Sequence, residues 1–155
     1  IGTILTGCGS KNNASEAPAE DNTQQTASVQ QEQSQTEKAL ALINTFATGD
    51  TDTARSLLAD GYIQHNLAYG TGADAFIGSV EYLASADVKT TVNNIRAFED
   101  GDKVFLQTIY NFAGAGEQVA FDIFRFDENG KIAEHWDVME TIADQSTWQN
   151  ENGKF

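Results

Sequence analysis

The stretch that decides the fold is Val119-Ala120-Phe121-Asp122-Ile123-Phe124-Arg125-Phe126, a polar break Asp127-Glu128-Asn129-Gly130, then Lys131-Ile132-Ala133-Glu134-His135-Trp136-Asp137-Val138-Met139. Two runs rich in β-branched and aromatic residues around an Asn-Gly turn predict a β-hairpin. Asp122 stands among large apolar residues, and His135, Trp136 and Asp137 follow one another in the second run. Carboxylates belong on solvated faces unless a partner or a reaction holds them elsewhere. The hairpin is therefore where chemistry is expected.

Working outward, the region before the hairpin alternates with period two. Residues 88–98 and 104–112 read as strands, separated by Glu99-Asp100-Gly101-Asp102, a turn signal. The second of these is apolar on both faces. Further upstream the period is helical. Leu40, Ile43 and Phe46 mark a helix over 37–48, ended by Gly49; Asp50 or Thr51 caps a short helix burying Ala54, Leu57 and Leu58; Phe76, Ile77, Val80 and Leu83 mark a third over 73–84. Tyr62 to Asn66 is a short extended piece between the second and third helices. Residues 141–155 offer only Ile142, Trp148 and Phe155 for burial and read as a loosely packed terminal segment. Three helices followed by a four-stranded antiparallel meander, with 62–66 as an edge piece, make an α+β domain: a cone-shaped barrel of helices on a curved antiparallel sheet enclosing a pocket. The outer sheet face, apolar along 104–112, requires a cover, and a homodimer through the sheets supplies one.

The chain has 155 residues, 40% hydrophobic and 10% aromatic, enough for one ordinary core. Between Gly9 and Thr36 there is no aromatic residue and one large aliphatic, Val29. Such a segment cannot offset its ordering entropy, so residues 9–36 are predicted to be a disordered tether and residues 37–155 the folded domain. Of the formal net charge of −14, −3 lies in residues 1–36 and −11 in the domain. An acidic domain without a basic cluster argues against nucleic acid and anionic lipid surfaces as partners. No apolar run approaches a membrane span in length.

The single cysteine, Cys8, leaves no internal disulfide or multi-cysteine zinc site. Leu5-Thr6-Gly7-Cys8 resembles the lipobox of bacterial lipoproteins, and residues 1–8 read as the end of a signal peptide with its lipidation site. That resemblance implies cleavage before Cys8, acylation of the cysteine and anchoring of the domain at the bacterial cell envelope, outside the cytoplasm. Each buried acyl methylene adds about 0.8 kcal/mol to such an anchor.

Four segments in order, Tyr62-Ile63-Gln64-His65-Asn66, Glu99 through Val104, Phe121 through Arg125, and Gly130-Lys131-Ile132 with Glu134-His135-Trp136-Asp137, resemble the SnoaL-like branch of the nuclear transport factor 2-like superfamily. The resemblance implies a cone-shaped, commonly dimeric α+β barrel with a pocket between helices and sheet. It also implies cofactor-free polyketide-cyclase chemistry, an intramolecular aldol condensation with an aspartate as acid/base. Leu67 stands where the family pattern would place proline, which leaves the loop holding His65 less fixed.

The turn decides which side chains share a face, because a slip of one residue inverts them all. With a two-residue Asn129-Gly130 turn, Asp122 faces Asp137, with His135 beside them. With a three-residue loop and Gly130 left-handed, Asp127 pairs with Lys131 and Asp122 faces Trp136. The second arrangement segregates apolar residues better and is favoured. Asp122 is a catalytic candidate in both, with His65 to hold it or to polarise a substrate carbonyl. Trp136 would stack on a flat ring, Tyr62 and Asn66 would line the site, and His135 and Asp137 join only in the first arrangement. A carboxylate satisfied by tyrosine or histidine donors is the structural alternative for Asp122. No helical His-Glu-x-x-His spacing or Gly-rich phosphate loop is present, so neither a metal nor another cofactor is expected. The expected partner is a small apolar ligand or carbonyl substrate. An enzyme needs Asp122 unpaired and open to a cavity; an Asp122 sealed or saturated by protein donors points to a binding module instead.

Overall fold

The computed structural model describes residues 31–155; Cys8, the lipobox and most of the tether lie outside them. Helix α1 (Gln35–Thr48) starts two residues before the expected position because Ser34 closes a capping box: its Oγ accepts from Glu37 N–H at 3.1 Å, and Glu37 accepts from Ser34 N–H at 2.7 Å. Gly49 ends α1 in the left-handed region at φ 73°. Asp50 caps α2 (Thr51–Leu57) by accepting from Thr53 N–H at 3.0 Å. Helix α3 (Ala73–Ala84) has the expected bounds and buries the four expected apolar residues.

Five strands follow the order β1-β5-β4-β3-β2: β1 (Leu58–Gln64), β2 (Thr91–Asp100), β3 (Lys103–Asn111), β4 (Glu117–Phe126) and β5 (Ile132–Thr141). β2 to β5 form the expected antiparallel meander. The sheet as a whole is mixed rather than antiparallel, because β1 pairs parallel with β5. Parallel neighbours need a long crossover, and here that crossover contains α3 and the other three strands. Register irregularities in the β1/β5, β2/β3 and β4/β5 pairs bend the sheet around the helices. On the concave face Ala39, Leu42 and Ile43 of α1 and Phe76 and Val80 of α3 pack with Val104, Leu106, Tyr110, Ala120 and Phe124.

The hairpin combines features of both expected arrangements. Its loop is the three-residue one: Asp127 N–H donates to Lys131 O at 2.8 Å, and Gly130 is left-handed at φ 71°. One step further, Phe126 pairs with Ile132 but Arg125 pairs with Glu134, leaving Ala133 as an extra residue. That bulge inverts the faces of everything beyond it. Asp122 consequently pairs with Asp137, and Trp136 pairs with Ile123 on the convex side. The expectation that Asp122 faces Trp136 is overturned: Phe126 and Ile132 are both buried in the core, and the bulge keeps them inward while turning His135 inward as well.

The convex face carries Phe98, Phe105 and Phe121 in a row, with ring centroids 6.2 and 5.8 Å apart. Phe98 is 60% exposed, Phe121 41% and Val138 71%. The terminal segment is tied down more firmly than expected. Lys154 O accepts from the buried Gln107 amide at 2.8 Å, and its ammonium donates to Glu140 at 2.7 Å.

A Cβ at Gly49 would lie 2.8 Å from Ala84 Cβ in a conformation that L residues avoid. Gly49→Ala should therefore lower stability by about 2 kcal/mol, read as a lower urea midpoint with an unchanged slope.

Candidate active site

Asp122 sits at the centre of β4 on the concave face, between Leu106 of β3 and Asp137 of β5, and is 4% exposed. Both its oxygens have protein partners. Tyr110 O–H donates to Oδ2 at 3.0 Å, and His135 Nε2 lies 2.9 Å from Oδ1. The His135 ring stacks on Phe124 at 4.6 Å, and its Nδ1 lies 2.8 Å from Gln64 Oε1.

The hydrogen bonds around Gln64 fix the proton count of this cluster. Asn66 N–H, which can only donate, points at Gln64 Oε1 at 2.9 Å, and Gln64 Nε2 donates to the Tyr62 hydroxyl oxygen at 3.2 Å. The amide oxygen therefore faces His135, and His135 Nδ1 must carry a hydrogen. With Nδ1 protonated, the Nε2–Oδ1 contact also needs a proton, or two lone pairs would face each other. That proton makes the pair either imidazolium with carboxylate or imidazole with carboxylic acid, and in both forms the pair has zero net charge.

Asp137 completes the group. Donor atoms of Asp122, His135 and Asp137 all lie within 4.8 Å of one another, and Asn66 Nδ2 donates to Asp137 Oδ2 at 2.8 Å. A divalent ion using these three donors would have to replace the proton between Asp122 and His135. Burial pushes the hydroxyls of Tyr62 and Tyr110 well above the ordinary phenol range, and the Asp122 and Asp137 charges add to the shift. Both tyrosines are thus kept as neutral donors.

Asp122, His135, Asp137, Tyr62 and Tyr110 all border a cavity of about 640 Å³ between the helices and the sheet. Its other walls include Phe46, Phe76, Phe112 and Phe124 from four different elements. Such a volume is within the range that encloses a small organic molecule. Asp122 is thus open to a cavity but not unpaired, since each oxygen already takes one protein contact.

The expected residues divide between the two faces of the sheet. Tyr62, Asp122, His135 and Asp137 are brought together, and Asn66 joins them through its bond to Asp137. His65 does not: its Nε2 donates to Glu134 Oε1 at 2.8 Å on the convex side, where its ring stacks on Trp136 at 4.9 Å and 4°. Neither His65 nor Trp136 lines the cavity, so the expected support of Asp122 by His65 and the expected ligand stacking by Trp136 are both corrected. The cause is strand alternation: their neighbours Gln64 and His135 point inward. His65 and Arg125, by their hydrogen bonds, hold the Glu134 carboxyl below the ordinary range. Two members of the polar network around Asp122, Gln64 and Tyr110, are not among the expected ones. Gln64 lies two residues from Tyr62 and so shares its face, which was the available signal.

The chain matches the SnoaL-like domain family over residues 39–135. No curated protein matches it. Among solved structures, an NTF2-like protein of unknown function from Cytophaga hutchinsonii is similar with a TM-score of 0.61 at 16% identity, covering 72% of this chain and 94% of that one. A LEH-like epoxide hydrolase of M. tuberculosis is similar with a TM-score of 0.60 at 18% identity, covering 68% and 82%. IdmH, a candidate polyketide cyclase of Streptomyces antibioticus, is similar with a TM-score of 0.56 at 18% identity, covering 70% and 93%. These likenesses are of fold; with the family match, three helices on a curved mixed sheet and a cavity at its concave face, the chain belongs to the SnoaL-like domain family.

Proposed function

We propose that this domain carries out cofactor-free acid/base chemistry on a small, largely apolar carbonyl compound, of the aldol or cyclase type. The observation that carries the reading is the 2.9 Å contact between Asp122 and His135 beside a second carboxylate, Asp137, at the wall of an aromatic cavity. A donor and an acceptor of protons within reach of one substrate is what an aldol closure needs. Asp122, in the imidazolium–carboxylate form of its pair with His135, takes the proton α to one carbonyl. The resulting enolate carbon bonds to a second carbonyl carbon of the same molecule, and the oxygen of that carbonyl takes a proton back from the pair. The pair is thereby restored with no net gain or loss of protons, and the nearby Asp137 carboxylate offsets the positive charge it carries in between. Tyr62, kept neutral and accepting from Gln64, has its own hydrogen free to stabilise negative charge on oxygen by donation. IdmH and the epoxide hydrolase share the fold while their names point to different reactions, so support for this chemistry comes from the side chains and not from the fold.

A binding module without turnover is the second reading, supported by the protein contacts already made by both Asp122 oxygens. Asp122→Asn separates the two. The introduced amide can donate to His135 Nε2 and accept from Tyr110, so the network stays satisfied while the transferable proton is gone. With a diketone able to close a six-membered ring, the variant should retain binding and lose about 100-fold or more in kcat. Equal turnover by both proteins would remove the Asp122–His135 pair from the chemistry, and none by the native chain would leave the binding module.

The domain is further proposed to form a homodimer through its convex sheet face, where the row of Phe98, Phe105 and Phe121 and the exposed Val138 form the apolar surface that supports this reading. Phe121→Asp should shift sedimentation from dimer to monomer at micromolar concentration; a native protein that sediments as a monomer throughout would remove the proposal. The domain is also proposed to be anchored at the envelope through acylated Cys8, a reading supported by the lipobox-like Leu5-Thr6-Gly7-Cys8 and the polar spacer behind it. Expressed in a bacterium with an export leader ahead of Ile1, the chain should incorporate an alkynyl fatty acid and sediment with membranes. Cys8→Ser should abolish both, and a labelled Cys8→Ser variant would refute the assignment.

A further inference from the structure

Building on the reading of the cavity as a ligand pocket, we infer that its ligand carries a protonated amine, seated against Asp137 with its apolar body among the aromatic walls.

The charge inventory of the cavity leads there. Among the described residues no lysine or arginine lines it; the ionisable groups there are Asp122, His135, Asp137 and four tyrosines. The Asp122–His135 pair is neutral overall in either location of its proton, as fixed by Gln64. Asp137 is left as an unbalanced negative charge. It belongs to no ion pair among the described residues. Its one side-chain hydrogen bond there is from the neutral amide of Asn66 to Oδ2, so Oδ1 has no protein donor. A half-buried carboxylate with a free oxygen, in a pocket that no described lysine or arginine lines, gains most from a cation supplied by the ligand.

The walls favour the same charge. Phe46 packs on Phe76 at 4.9 Å and edge-on to Phe112 at 5.7 Å, and Phe112 stacks on Tyr110 at 4.9 Å, making a continuous aromatic lining. Ring faces carry the negative end of the aromatic quadrupole and attract ammonium groups. An anionic ligand would bring like charge against Asp137 and would meet the field of a chain with net charge −14. Carboxylates and phosphates are therefore disfavoured, and among carbonyl compounds the amine-bearing ones are selected.

Three probes of one shape test this: naphthylmethylamine, naphthylmethanol and naphthoate, titrated calorimetrically into the whole chain at neutral pH. The amine should bind about tenfold or more tightly than the alcohol, the scale of one charge-assisted hydrogen bond, with naphthoate weakest. Asp137→Asn should bring the amine down to about the affinity of the alcohol, and a far-UV circular dichroism spectrum matching the native protein's reports that the variant is folded. An alcohol or naphthoate that binds as tightly as the amine overturns the inference and leaves the pocket reading intact. An amine preference that persists in Asp137→Asn overturns the seat at Asp137. Absence of binding by all three removes the pocket reading and the inference together.

Discussion

The extra residue Ala133 in β5 is the constraint on which the site depends. Two demands meet in the hairpin. At its loop end Phe126 and Ile132 must both be buried, and the Asp127–Lys131 contact closes a three-residue loop. At its centre Asp122 is buried and needs polar partners, which His135 supplies only when it lies on the same face. Regular pairing from the loop would satisfy the first demand and fail the second, placing Trp136 opposite Asp122. A bulge forfeits about one ladder hydrogen bond, whereas a buried carboxylate without partners costs several kcal/mol. One inserted residue meets both demands, and the concave chemistry and the convex apolar face both follow from it.

Much of the fold was legible because its signals are local. The 3.6-residue spacing of Phe76, Ile77, Val80 and Leu83 located α3, and the change to period two located the meander. Asp122 was identifiable because it faces the core whichever loop is chosen. The register of β5 was not, since loop residues report only on the loop and nothing about Ala133 marks it as a bulge. The parallel pairing of β1 with β5 joins segments about seventy residues apart, as in the pair of Gln64 with His135, and no local pattern encodes it. His65 and Trp136 do associate with each other, but alternation puts them on the opposite side of the sheet from Asp122. Gln64, a neutral amide, carries no sequence signal proportionate to its position between His135, Asn66 and Tyr62.

The two faces of the sheet are specialised differently. Inside, a polar network is satisfied within an aromatic enclosure, and among the described residues no buried side-chain nitrogen or oxygen is left without a partner. Such networks specify one arrangement strongly because each broken contact exposes another. Outside, aromatic rings are open, and Glu134 links His65 and Arg125 across the sheet edge at 2.8 and 2.7 Å. Structures with different names share the frame, so the frame by itself assigns no chemistry.

Consecutive residues His65 and Asn66 leave β1 on opposite sides of the sheet. His65 is clamped outside between Trp136 and Glu134, while Asn66 reaches inside to Asp137 with its side chain and to Gln64 with its backbone. One peptide bond thus joins a cluster on the outer surface to the residue that donates to the carboxylate in its cavity.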